Sequence, residues 1–219
     1  MISKIITATI YGIDGIKIEV EVDLSYGLPA FNIVGLPETA VKESKERVRA
    51  AIKNAGFEFP GDRITVNLAP ADVRKEGSSF DLPIAIGILS ATGVIKQPLS
   101  DYLIAGELSL DGRIKGIRGV LPIAILAHQE GFGNVITPYE NCEEAAIVQG
   151  INVYGASHLL DIVHFFRGDG ELKMFSKTEL VESCAAVNSD LNFSDIKGQP
   201  HAKRALEIAA SGGHNMLTL

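Results

Sequence analysis

The run "LPIAIGILSATGVI" (82–95) is apolar along nearly its whole length and is broken by Gly and Ser. It is too short to span a bilayer, so it reads as a buried helix. A chain holding such a helix needs a core able to enclose it. With 46% hydrophobic and 21% charged residues among 219, the material for one is present. The N-terminal "MISKIITATIYG" alternates residue types and has no apolar block followed by a cleavage site, so no signal peptide is expected. A soluble protein of the cytoplasm, without membrane partners, is the expectation.

Other stretches have different periods. Residues 4–10 ("KIITATI") and 16–23 ("IKIEVEVD") alternate apolar with polar, and "YGIDG" between them supplies turn residues, so a β-hairpin is expected. "AFNIVGLP" (30–37) and "RITVNLAP" (63–70) read as strands. Between them, Val41, Val48, Ala51, Ile52 and Ala55 share one face of a helix over 37–56, with Gly56 as its stop. Further helices are expected over 78–93 (entered through Ser78 and Ser79), 119–131, 139–150 and 157–170, the last beginning on Ser157. "YLIAGELSLDGRIKGI" (102–117) reads as two strands joined at Asp111-Gly112, and "NVITP" and "INVYGA" as short strands. The alternation makes residues 1–170 one α/β or α+β unit. Residues 171–193 lose any sustained period and read as a linker with one weak strand. "QPHAKRALEIAASGG" (199–213) is helical, with a stripe of Ala202, Ala205, Leu206 and Ala209, and "HNMLTL" reads as the start of a buried strand.

Composition excludes several chemistries. The two cysteines, Cys142 and Cys184, suit neither a disulfide framework nor a zinc site and are expected as free thiols. The five histidines form no HxxxH or HExxH pattern, so no metal site is expected. A net charge of −7 disfavours a surface that coats nucleic acid as a whole. A local basic face stays open: Lys42, Lys45, Arg47, Arg49 and Lys53 outnumber Glu43 and Glu46 on the first helix, and Arg113, Lys115 and Arg118 cluster near the second hairpin. Lys45, Arg47, Arg49, Arg113 and Lys115 are the candidate nucleic-acid contacts. The alternative is a solvated helix face laced with i,i+4 pairs such as Glu43–Arg47.

Two stretches resemble known families. "SDIKGQPHAKRALEIAASGGHNMLTL" (194–219) is similar to the opening of an AAA+ module of the magnesium-chelatase type, where a D-I-x-G-Q element precedes a helix and a strand. A phosphate-binding Gly-rich loop would come next, presenting backbone N–H groups and a helix N-terminus to phosphates. No GxxxxGK[ST] occurs in the chain, so ATP hydrolysis by this chain is not expected. The stretches "GLPAFNIVGLPETAVKESKERVRAAIKNAGFEFP", "RITVNLAPADVRKEGSSFDLPIAIGIL" and "AGELSLDGRIKGIRGVLP" closely resemble the N-terminal domain of the YifB/ComM family of magnesium-chelatase-like AAA+ proteins. The resemblance implies an α+β domain with the ribosomal protein S5 domain 2-like fold, shared with the Lon proteolytic domain, over residues 1–170. It further implies a linker at 171–193 and the first helix and strand of an AAA+ module at 194–219. The parent protein would be a ring-forming, hexameric ATPase that uses ATP and Mg2+ and promotes branch migration of DNA in natural transformation. Ile196, Gly198 and Gln199 would lie near the adenine in that parent; this chain alone needs no cofactor. A helix-entry turn is the other reading of these three residues.

The Lon-like resemblance makes Ser79 a candidate nucleophile. In Lon the catalytic serine sits in a P-K-D-G-P-S-A-G loop, and here "RKEGSSFDLPIA" puts Ser79 at that position and Lys75 at the lysine before it. A serine hydroxyl needs a neutral amine to take its proton. The helix that carries that lysine in Lon matches "RGVLPIAILA" here, with Leu121 in its place. Lys75 lies in a charged loop and is expected to be solvated, with Lys115 able in principle to reach across. The expectation is a catalytically silent remnant in which Ser78 and Ser79 cap a helix and Asp81 favours its dipole. Two alternatives remain: a Ser79-dependent Lon-like peptidase, and a partner-binding module of a metal chelatase.

Overall fold

In the computed structural model, residues 2–175 and 193–217 are described. The chain divides into two units, Met1–Val181 and Glu182–Leu219.

The first unit is a mixed sheet with helices on both faces, an α+β arrangement as expected. Strands β1 (Ile2–Tyr11) and β2 (Asp14–Ser25) form the expected hairpin, paired from Ile2 opposite Asp23 to Tyr11 opposite Asp14. A φ of +64° at Gly12 lets a two-residue turn close it. β4 (Arg63–Ala69) continues the antiparallel ladder on β2, and β3 (Ala30–Val34) lies parallel to β4 at the sheet's edge. On the other side of β1 come β5 (Tyr102–Ile104), β8 (Asn134–Pro138) and β9 (Asn152–Ala156), all parallel. β10 (Lys173–Phe175) closes that end antiparallel to β9, so the single weak strand expected in 171–193 is present. The rest of that stretch, Cys184 included, lies outside the described residues.

Helix α2 (Asp81–Ala91) confirms the buried reading of the apolar run, since every residue from Asp81 to Leu89 is buried. It lies on the sheet face formed by Ile5, Ile18, Val20 and Val22, with α1 (Thr39–Asn54) beside it and α5 (Leu159–Arg167) against β9 in the same core. Helix α3 (Val120–Gln129) and the one-turn α4 (Cys142–Ala145) cover the opposite face against Ala8, Leu103, Val135 and Val153. Coverage on both sides is why β8 reads as consecutive apolar residues while β2 alternates. The outer face of β2 is held by polar pairs: Lys4 Nζ meets Glu19 at 2.7 Å and Glu21 at 3.0 Å.

Several local expectations are corrected. The N-cap of α2 is Phe80 and no side chain caps it; neither Ser78 nor Ser79 does. Helix α5 starts from His158, not Ser157: its Nδ1 accepts from Leu160 N at 3.1 Å, and its N–H donates to Asp161 at 2.8 Å. The 139–150 helix is a 3-10 turn (Tyr139–Asn141) plus the single turn of α4. Residues 102–117 hold three strands, because the chain leaves the main sheet after β5 and forms a separate hairpin of β6 (Glu107–Leu108) and β7 (Ile114–Lys115).

The second unit has a 3-10 turn (Phe193–Asp195) and α6 (Pro200–Gly212), ended by Gly213 at φ +63°. No residue of α6 is buried; of its apolar stripe, Ala202 and Ala209 are half-buried and Ala205 and Leu206 exposed. The expected strand does not form at 214–217, where the described chain has no regular structure. A strand is defined by its ladder, and these residues have no partner strand among the described residues.

The packing of α2 gives a sign test. Gly→Ala inside a helix ordinarily stabilises by about 1 kcal/mol. At Gly87 an added Cβ would stand 2.6 Å from Val22 Cγ2, and valine has little rotamer freedom to move away. Gly87→Ala is therefore expected to destabilise the protein by about 1–3 kcal/mol in urea unfolding.

Candidate active-site remnant and basic helix

Ser79 is half-buried in a cleft of about 560 Å³ at the end of β1, with Thr9, Ile10, Glu76, Glu107 and Arg118 around it. Two elements place it. β4 delivers the loop that carries Lys75 to Ser79, and Gly106 fixes the end of that loop: its N–H donates to Ser79 O at 3.0 Å, and its carbonyl accepts from Leu82 N at 3.0 Å. A Cβ at Gly106 would come within 2.9 Å of the Leu82 side chain, so the close approach needs glycine.

No amine serves Ser79 among the described residues. Lys75 was expected to be solvated, and this is corrected: its side chain is fully buried, its ammonium donates to the Pro70 carbonyl, and burial pulls its pKa down. The loop that holds it is pinned to the β3–α1 connection through Glu38 N, which donates to Lys75 O at 3.2 Å. Lys75 thus has the lowered basicity of a possible proton acceptor but spends its amine on a carbonyl away from the cleft. Lys115 is exposed on β7, opposite Glu107. Leu121 is a leucine in the first turn of α3, where its backbone N–H donates to Glu144 at 2.9 Å. The neighbouring hydroxyl, Ser78, donates to the Glu107 carboxylate.

The basic helix is arranged differently from a phosphate-binding face. Arg47 turns inward: its Nε is 2.7 Å and its Nη2 3.0 Å from the two oxygens of Asp81, and Nη2 also donates to Ala40 O. Asp81 is fully buried, and Leu108 N donates to it as well, at 3.3 Å. Burial pushes the Asp81 carboxyl above the usual carboxylate range, while Arg47 and the Leu108 N–H draw it back. Asp81 is therefore more than a dipole partner in a first turn. Arg49 stacks over the Phe59 ring at 5.0 Å, and Arg113 pairs with Asp111 at 2.7 Å. Lys45 is half-buried, without a bonding partner among the described residues. The five candidate contacts do not form one free cationic surface. Sequence reasoning missed the Arg47–Asp81 pair, and its signal was a lone carboxylate opening an otherwise apolar helix, which must be paired if buried.

In the second unit, Gly198 and Gln199 have left-handed φ values of +78° and +54°, and Ile196 is 46% exposed. Lys203 Nζ donates to Ile196 O, which ties this turn to α6. Such a turn offers an apolar wall and no phosphate cradle. Cys142 is free and buried, and burial pushes its thiol up to about 12. No group of His, Cys, Asp and Glu able to hold a metal occurs among the described residues. No helix among them is long and apolar enough to cross a membrane.

Comparison with known proteins places this geometry. Subunit ChlI of Mg-chelatase matches residues 20–141, and a second magnesium-chelatase ChlI profile matches 192–219. Competence protein ComM of Haemophilus influenzae is 48% identical over 213 residues, covering 95% of this chain and 41% of that protein. The chain belongs to the YifB/ComM family of magnesium-chelatase-like AAA+ proteins. YifB of Escherichia coli is 41% identical over 219 residues, all of this chain and 42% of that protein. The chain spans about two fifths of the length of these curated relatives. Lon protease 2 of Bacillus subtilis is 31% identical over 152 residues, 63% of this chain and 27% of that protein. The second profile match falls on the segment that holds the helix at 200–212.

Removing Arg47 leaves the buried Asp81 carboxylate without its counter-charge. Arg47→Ala is expected to cost about 3–5 kcal/mol of stability in urea unfolding. Lys45→Ala, on the same helix, should stay within about 0.5 kcal/mol.

Proposed function

We propose that the chain is the N-terminal part of a hexameric, ATP-driven motor that remodels DNA, and that its first unit is a non-proteolytic domain of the S5 domain 2-like, Lon-related type. Residues 1–170 form that domain, 171–193 a linker and 194–219 the opening of the ATPase module. Support for the DNA role comes from the 48% identity to a protein named for competence. The observation that carries the non-proteolytic reading is the Lys75 amine, held by the Pro70 carbonyl while Ser79 stands in the cleft without a base. A serine hydroxyl in that setting keeps its proton and does not attack a carbonyl.

ATP and Mg2+ belong to the whole protein on this reading. Ile196, Gly198 and Gln199 fit one side of an adenine: an exposed apolar side chain beside a turn whose glycine permits close approach. They supply no phosphate contact. The ring forms through the ATPase module, with the first unit carried on it, and the protein works in the cytoplasm. With Arg47 buried against Asp81, DNA contact by the first unit falls to Lys45, Arg49, Arg113 and Lys115. These are dispersed, so the first unit adds little affinity of its own.

Two measurements test this. A fluorophosphonate probe should leave Ser79 unlabelled in the folded 219-residue chain, and labelling that is lost in Ser79→Ala would establish the peptidase instead. The full-length protein should move a synthetic four-way DNA junction only with ATP and Mg2+. A folded, ATP-hydrolysing protein indifferent to DNA would remove the motor reading and favour a chelatase partner.

A further inference from the structure

β3 ends the eight-stranded sheet: β4 pairs with it on one flank, and no strand among the described residues lies on the other. Sheet edges are normally blunted by charge, a bulge or a covering segment, because their free N–H and C=O groups pair readily with another chain. Charge is missing from this edge, since the sequence holds no Asp, Glu, Lys or Arg from Leu24 to Pro37. The edge is also apolar where it meets water. Leu28 is 89% exposed, Leu36 57% and Val34 46%, and Tyr26 is fully exposed. Leu36 is held at a left-handed φ of +54°, so an unfavourable backbone carries an apolar side chain in water.

The five residues of β3 are matched to their own reversal. In an antiparallel pair centred on Asn32, Phe31 faces Ile33 of a second copy and Ala30 faces its Val34, each pair occurring twice. Phe31 and Ile33 both pack on the core side, and an aromatic opposite a β-branched residue is a favourable cross-strand pair. Ala30 against Val34 sets a small residue beside a branched one on the other face. Asn32 meets itself on the two-fold axis. It is half-buried and has no side-chain partner among the described residues, and two facing carboxamides satisfy each other in both directions. The register continues past the strand ends: Leu28 and Leu36 are equally far from Asn32, so the exposed leucine at one end covers the one at the other.

The flanking charges allow this. Asp62 and Arg63 lie beside Ala30, and Glu38 and Arg74, 3.8 Å apart, follow Pro37. Both ends thus carry opposite-sign couples, and the reversal sets one couple beside the other. On the core side the nearest cation, Arg49, is already stacked over Phe59, whose ring lies 5.9 Å from Phe31. Two chains that each carry −7 repel overall, so a self-contact belongs where local charge cancels.

We propose that the β3 edge is a homodimer contact, joining two copies of the chain antiparallel about Asn32 into one continuous sheet. A strand from another protein would need this same order of side chains, which a second copy supplies by identity. The contact area is small, so the dimer is weak and concentration-dependent. A two-fold contact is distinct from the head-to-tail contacts that close a ring, and it holds whether or not the chain belongs to a motor.

Sedimentation velocity of the 219-residue chain at rising concentration should show monomer and dimer and nothing larger, because a two-fold contact closes on itself. Asn32→Asp sets two carboxylates on the axis and should weaken the dimer about tenfold or more. Leu36→Asn separates two roles. Asparagine suits the left-handed φ, so the urea midpoint should hold or rise while association weakens about tenfold. A merely structural Leu36 would leave the dimer intact. Tyr11→Ser, an exposed apolar position on the β1–β2 hairpin, should change neither. In a chain with Cys184→Ser, a short bismaleimide should join copies through Asn32→Cys and not through Leu28→Cys, whose two copies stand roughly 26 Å apart. Cys142 is buried from the reagent. A monomer at every concentration, open-ended growth, a dimer indifferent to either Asn32→Asp or Leu36→Asn, or a dimer not linked through position 32 overturns the proposal.

Discussion

A carboxylate with no exposure to water is tolerable only if a counter-charge and donors are built around it, and Asp81 is such a carboxylate. Arg47 comes from α1, Leu108 N from β6, and Asp81 itself opens α2. One buried anion therefore ties together three elements that share no ladder. The bidentate fork fixes their relative rotation, because both guanidinium bonds hold only in one orientation. The core beneath adds close contacts, with Gly87 of α2 leaving no room for a Cβ against Val22, while the Arg47–Asp81 bonds add direction. The position of the loop just before Asp81, with Ser78 and Ser79 on it, follows from that constraint.

The same constraint decides what the cleft can do. Gly106 holds the end of the loop, and Lys75 holds its beginning by burying an ammonium against a carbonyl. On the proposed reading, the Lys75 anchor consumes the amine that a hydrolytic site would keep free. A lysine with a lowered pKa is the usual sign of a catalytic base, yet here the amine faces the wrong partner, so geometry overrules the titration behaviour. On the proposed reading, Ser79 stands in the cleft without the base that would give it chemistry. The Lon-like sequence similarity and the missing base are compatible for that reason.

Much of this was legible in the residues. The period-2 alternation of 4–10 and 16–23 gave the hairpin, and the uniform apolarity of 82–95 gave the enclosed helix. Both signals are set by burial, which repeats along an element. What escaped depended on single contacts at element ends. Ser78 and Ser79 looked like helix caps because serine is a good cap, but the turn places Phe80 at that position and sends the Ser78 hydroxyl to Glu107. Lys75 looked solvated because its neighbours are charged, and nothing local announces the Pro70 carbonyl that receives it. Arg47 looked like one cation in a basic helix. Its partner lies 34 residues away, and only the meeting of α1 with α2 reveals it.

The location of the cleft has a topological cause. β1 is the strand at which the sheet changes character, antiparallel towards β2, β4 and parallel towards β5, β8, β9. A hairpin carries the chain back along β2, while the chain leaving β5 turns off to β6 and the Ser79 loop. Two neighbouring parallel strands whose continuations depart in different directions open a crevice beyond their carboxyl ends, which is where α/β sheets generally admit ligands. Here the crevice is bounded by β1 itself, through buried Ala8 and Thr9 and the more exposed Ile10. The Ser79 loop borders this crevice because β1 and β5 part there, independently of any chemistry at its hydroxyl.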